Sequence, residues 1–215
     1  MIPLLKKDFW MNFSYLLMTL AFIPIAYVLN LSSGFLYYGL VLGLIFNAFY
    51  YDNVSGINQY MVSLPIARQK VVTARYVFCL LFALTVFGYQ FVLDRLAHAG
   101  LPYFAYEPMT EYTLLTRLCG VIILMAFSLP LYFAFSYMKA FMTQLISFAV
   151  FIGLVGLIGK FIDKLNVVWL IEFVSSILEV LFSYPFMIIV LFTVVISLLS
   201  LAISRKIFHR KDLMW

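Results

Sequence analysis

The chain has 215 residues, of which 66% are hydrophobic, 19% aromatic and only 11% charged, and its mean hydropathy is +1.07. That excludes an ordinary water-soluble domain, in which about 25% of residues are charged. The net charge of +5 is not a nucleic-acid signal, because the cations fall at the ends of apolar runs rather than along one basic face.

A run of about 20 apolar residues crosses a hydrocarbon core of roughly 30 Å as helix. A charge at mid-membrane costs about 2.5 to 3.5 kcal/mol on insertion scales, so charge-free runs mark spans. These runs are Phe9–Tyr51, Tyr76–Leu93, Leu118–Met138, Ala140–Gly159 and Val180–Ser204. The first is too long for one span and breaks at the turn-rich Asn30-Leu31-Ser32-Ser33-Gly34. The expected fold is therefore all-α, one polytopic membrane domain over 1–215 with six transmembrane helices. Barrel strands would alternate over short segments instead. In that arrangement Lys6, Lys7, Arg68, Lys70, Arg75, Lys139, Arg205, Lys206, Arg210 and Lys211 share one side. On the other, Arg95, Arg117, Lys160 and Lys164 are diluted by Asp94, Glu107, Glu111, Asp163, Glu172 and Glu179. The positive-inside rule then places both termini in the cytoplasm.

In chain order, residues 1–14 carry Ile2, Leu5, Phe9 and Phe13 at near-helical spacing around Lys6, Lys7 and Asp8. This reads as an interfacial helix or as the polar end of span one; Lys6 falls close to the apolar face and must snorkel. The apolar run after Lys7 is longer than the core of a cleavable signal and lacks a small-x-small site, so no signal peptide is expected. Span one, about Tyr15 to Leu31, contains Pro24, a kink tolerated where neighbours satisfy the freed backbone. Span two, about Phe35 to Tyr50, contains Gly39 and Gly43 at the spacing of a close packing face.

Residues 52–75 form the longest polar interruption of the first half. Ile57, Tyr60, Met61 and Leu64 fall at i, i+3, i+4 and i+7 on one face of a short helix, and Pro65 suits the first position of the next. Arg68, Lys70 and Arg75 precede span three, about Tyr76 to Leu93. Anchoring to anionic headgroups accounts for the three bases but not for the length of the segment. Residues 94–113 form an external segment whose tyrosines and prolines suit the interface; His98 has no partner histidine or cysteine nearby, so a metal role is not expected of it. Span four, about Leu114 to Tyr137, holds Pro130. A short turn at Met138-Lys139-Ala140 makes spans four and five antiparallel neighbours. In the external segment 160–183, Glu172, Ser175, Ser176, Glu179 and Ser183 make a polar stripe on an apolar helix, the pattern of an amphipathic external helix before the last span. Pro185 opens span six, and 205–215 is a basic cytoplasmic tail. Cys79 and Cys119 fall near opposite faces, so neither a disulfide nor a metal site is expected.

Catalytic chemistry has no foothold. There is no phosphate-binding GxxxxGK[ST] and no HExxH, and no buried acidic or histidine relay of the kind proton-driven carriers use. Asn47, Gln90 and Gln144 are expected to bond between helices. If the protein transports, its energy comes from a partner. The rival class is a non-transporting scaffold or immunity-type protein that binds a partner.

Asp52, Asn53, Asn58, Ser63-Leu64-Pro65-Ile66-Ala67-Arg68 and Arg75-Tyr76 resemble the first cytoplasmic loop of the small six-span ABC-2 exporter permeases, the group that includes the phenol-soluble modulin exporter. Ala67 stands where a small hydroxyl is usual. Pro130-Leu131-Tyr132-Phe133 through Lys139, and Ser204-Arg205-Lys206-Ile207-Phe208 to Leu213, are further similarities, with Ser136 where relatives often have glycine. The resemblance implies a permease without enzymatic activity or cofactor in a bacterial plasma membrane. It would pair with a second permease chain, identical or related, and with separate ATP-binding cassette subunits, and export a hydrophobic or amphipathic peptide or drug. The residues it would assign to ATPase coupling are Asp52, Asn53, Ile57, Tyr60, Met61, Ser63, Leu64, Pro65, Arg68 and Lys139.

Overall fold

The computed structural model describes residues 2–31, 33–56, 67–100, 108–165 and 185–210. Among them the chain is all-helical, with seven helices and no strand. They are α1 (Ile2–Met11), α2 (Phe13–Val28), α3 (Ser33–Val54), α4 (Arg68–Gly100), α5 (Glu111–Ala134), α6 (Tyr137–Leu165) and α7 (Pro185–Arg210). Ile57, Tyr60, Met61, Ser63, Leu64 and Pro65, and the striped segment 166–183, lie outside the described residues.

Among the described residues four helices are long and apolar enough to cross a membrane: α4, α5, the Tyr137–Leu154 part of α6 and the Met187–Arg210 part of α7. The pair α1 and α2, bent by 61° at Asn12, passes the same test when taken together, which raises the number to five. Alone, the 16 residues of α2 rise about 24 Å. The 22 residues of α3 rise about 33 Å, a spanning length, but its end, Tyr50-Tyr51-Asp52-Asn53, is polar. α4 is continuous through Asp94 to Gly100, so the first residues of the expected outer segment prolong a span as helix.

α4 is the hub. It packs against α1, α2, α3, α5 and α7, while the most extensive single pairing is α5 with α7. Leu44, Ile45, Val72, Cys79, Val121 and Leu129 lie in the buried core. Apolar side chains also cover the outside, as at Met18, Ile152, Leu191 and Met187, which is how a bundle meets lipid rather than water.

The turn after α2 is a Schellman close. Asn30 adopts a left-handed φ of 54°, a conformation that asparagine tolerates. Its N–H bonds the Tyr27 carbonyl at 3.0 Å, and the Leu31 N–H bonds that of Ala26 at 2.9 Å. The helix-interior prolines Pro24 and Pro130 each free a carbonyl one turn back, and a hydroxyl from another helix answers each. Pro24 leaves the Leu20 carbonyl, to which Tyr89 of α4 donates at 3.3 Å. Pro130 leaves that of Ala126, to which Ser200 of α7 donates at 2.5 Å. Of the two glycines in span two, only Gly43 takes a neighbour. A side chain there would run into the hydroxyl of Tyr15, whereas Gly39 has open space around its Cα. The Tyr15 hydroxyl donates instead to the Leu40 carbonyl at 2.7 Å, fastening α2 to α3.

Candidate functional site

The chemistry-bearing residues gather at the end of the bundle where α1 begins, α3 ends, α4 starts and α7 finishes. Arg75, two turns into α4, is 4% exposed, and the two acids it meets, Asp8 of α1 and Asp52 of α3, are 3% and 5% exposed. Arg75 Nη2 donates to Asp52 Oδ2, and its Nη1 lies 3.3 Å from Asp8 Oδ1. Lys7 Nζ reaches both acids, at 3.1 Å from Asp8 Oδ1 and 3.2 Å from Asp52 Oδ1. Two cations thus face two carboxylates. A buried charge is costly unless it is paired in this way, and inside a membrane protein such charges turn toward the bundle interior.

That requirement orients α1. The apolar spacing of Ile2, Leu5, Phe9 and Phe13 suggested a helix whose charges face headgroups. Instead Leu4 and Asp8 are the buried positions, and Ile2, Phe9 and Trp10 are exposed. Outside the bundle is lipid, so the apolar residues turn outward and the acid turns in.

The cluster extends in two directions. Toward α2 and α3, the side-chain amide of Asn12 donates to the Asp8 carbonyl at 2.8 Å, and that of Asn47 donates to Asn12 Oδ1 at 2.9 Å. Toward the other spans, the Arg75 guanidinium lies 5.2 Å from the centre of the Phe49 ring, a cation–π distance. Phe49 stacks on Tyr132 at 4.9 Å and meets Phe133 edge-on at 5.3 Å. Phe133 in turn meets Phe208 of α7 at 5.5 Å. Aromatic contact therefore runs from the charge cluster through α3 and α5 to α7.

The start of α4 is also tied to the end of α7. Arg68 Nη1 donates to the His209 carbonyl at 3.2 Å, and Arg205 Nη2 donates to Thr73 Oγ1 at 2.9 Å. The Tyr76 hydroxyl lies 2.6 Å from Ser200 Oγ and 2.8 Å from Ser204 Oγ.

Of the residues singled out from the sequence and described here, Asn53 and Lys139 are exposed, Arg68 is half-buried and Asp52 is buried. The structure brings Asp52 to Arg75, not to the surface. Sequence reasoning missed Asp8 as a partner and treated Arg75 as part of a basic motif. A signal was there: Asp8 and Asp52 are acids on the basic side, each within a turn or so of an apolar run.

The far end has a smaller lock. Asp94 is buried; its Oδ2 accepts from the Met109 N–H at 2.9 Å, and its Oδ1 from the Tyr27 hydroxyl at 3.4 Å. His98 Nδ1 is 2.7 Å from the Asp94 carbonyl and 3.6 Å from its carboxylate, so this histidine serves a local polar contact. Gln144 donates to Ser128 of α5 at 2.7 Å, an interhelical bond of the kind expected for it.

Among the described residues these contacts fasten helices to one another. Both ends of the 52–75 segment, through Asp52 and Arg75, are pinned to α1 and wired into the bundle. Residues 3–209 match the family model described as ABC-2 family transporter protein. Comparison with curated proteins and with solved structures gives no match. The family match spans nearly the whole chain and agrees with its apolar helices, and the protein belongs to the ABC-2 transporter family as a membrane permease component of an ABC transporter.

Proposed function

We propose that this permease serves an exporter, with 52–75 as the segment through which a separate ATP-binding subunit drives it. Permeases of this family generally work with such a subunit. In the proposed arrangement α2 and α3 complete six spans, both termini are cytoplasmic in a bacterial plasma membrane, and a second permease chain, identical or related, completes the pathway. The cargo is hydrophobic or amphipathic and leaves the cell, a cytolytic or antimicrobial peptide or a drug. The apolar and aromatic character of the spans and the resemblance to the phenol-soluble modulin exporters support that cargo class.

One observation carries the reading: Asp52 and Arg75 close the two ends of the segment onto one buried cluster shared with α1. A push on the segment is then delivered to α1, α3 and α4 together. Differential binding of the ATPase to two arrangements of these helices suffices for coupling. Asp52 transmits, and Arg68, Asn53 and Lys139, with Ile57, Tyr60, Met61, Ser63, Leu64 and Pro65, are assigned to the ATPase contact. Arg68→Glu is expected to leave insertion intact and to reduce the co-purified ATPase severalfold. Undiminished recovery removes Arg68 from the contact. An unaltered chain that brings down no ATPase at all points to a non-transporting scaffold instead.

A further inference from the structure

The elbow between α1 and α2, closed on its third side by α4, forms a cavity of about 580 Å3, within the range of small-molecule sites. Its lining is almost wholly apolar, with Leu5, Phe9, Phe13, Leu81 and Phe82 among its walls, and Lys6 is the one charged residue on it. Phe9, Phe13 and Leu81 are exposed, so the groove opens on the outer, lipid-facing side of the bundle. The adjacent Lys7 is held by Asp8 and Asp52, whereas Lys6 makes no ion pair among the described residues. Lys6 is the lysine whose position close to the apolar face of α1 requires its stem to snorkel.

We propose that this groove is a binding site for an anionic phospholipid, an acyl chain lying along Phe9, Phe13 and Phe82 and the headgroup phosphate on Lys6. The chemistry selects that occupant. An apolar channel ending in one unpaired cation matches a chain ending in one anion, and lysine stems run along apolar surface to place the ammonium at headgroup level. Basic pockets between membrane helices hold anionic headgroups in the same manner. A second copy of the chain seated here would have to bring an acid to the Lys6 ammonium or leave it buried and unpaired, and Asp8 and Asp52, the acids described at this end, are themselves buried. The site is independent of the ATPase contact and stands or falls apart from it.

Trp10 reports on the groove, because its ring lies 5.7 Å from that of Phe13 and 6.2 Å from that of Phe9. The chain has three tryptophans, so Trp169→Phe with Trp215→Phe leaves Trp10 as the sole tryptophan, excited selectively beyond the tyrosine absorption band. The full-length chain is reconstituted into vesicles of equal parts phosphatidylglycerol and phosphatidylcholine, with brominated acyl chains on one lipid or the other. Brominated phosphatidylglycerol is expected to quench Trp10 as though enriched about fivefold, the effect of one lysine at an anionic surface. Lys6→Gln should bring the two lipids to parity, Lys6→Arg should restore the preference, and Lys70→Gln should leave it unchanged. Equal quenching by both lipids in the unaltered groove overturns the proposal, as does a preference that survives Lys6→Gln. Quenching by neither lipid means that protein fills the groove, and overturns it too.

Discussion

Arg75 shows how one residue organises this end of the molecule. Its guanidinium is shared between Asp52 and Asp8 and lies against Phe49, so its removal leaves two buried carboxylates facing only Lys7. Breaking a buried pair from one side costs about 3 to 5 kcal/mol. Arg75→Ala is therefore expected to lower the thermal midpoint of the detergent-solubilised chain by on the order of 10 °C. Arg75→Gln combined with Asp52→Asn should cost clearly less than the two single changes added together, because the double variant leaves fewer unpaired charges. Strict additivity would show that the pair is not energetically coupled. Neighbouring lysines divide by the same logic. Lys7 turns toward the acids and Lys6 toward the groove, and only their position on α1 separates a structural cation from one available to lipid.

At the scale of helices, the prolines and hydroxyls explain each other. Pro130 cannot donate to the Ala126 carbonyl, and Ser200 does so from α7, within the most extensive helix pairing of the bundle. Ser200→Ala should cost roughly 1 kcal/mol, the upper range of measured interhelical bonds in membranes being about 1.7. In a Pro130→Ala background the carbonyl regains a donor from its own helix, so the same serine change should cost less. A thermal-stability cycle on the four chains reads this; an equal cost in both backgrounds would sink the link between proline and serine. The need for a neighbour to satisfy the backbone at Pro24 was legible in the sequence. That Tyr89 meets it was not, because which hydroxyl arrives depends on the register of α4 against α2. Similarly, Gly39 and Gly43 are equivalent by spacing, yet only Gly43 sits under a tyrosine.

At the scale of the whole molecule, the proposed topology puts 160–183 outside. A cysteine at Ser176, in a chain whose Cys79 and Cys119 are buried, should react with a membrane-impermeant maleimide in intact cells. Reaction only after permeabilisation would overturn the six-span arrangement. The apolar runs by themselves determined that this is a membrane protein whose described residues are helical. Long apolar runs have no stable home in water, and in lipid a helix satisfies its own backbone. The sequence also determined which end is basic, since charges must fall where the runs stop. Only the tertiary structure decided what those charges do. Lys7 and Asp8, Asp52, and Arg75 belong to three separate helices, and their two-against-two pairing exists only once α1, α3 and α4 are packed. The 52–75 segment, conspicuous in the sequence as a basic polar gap, becomes in the fold a segment whose two ends share one buried ion cluster. Packing, not composition, joined those ends.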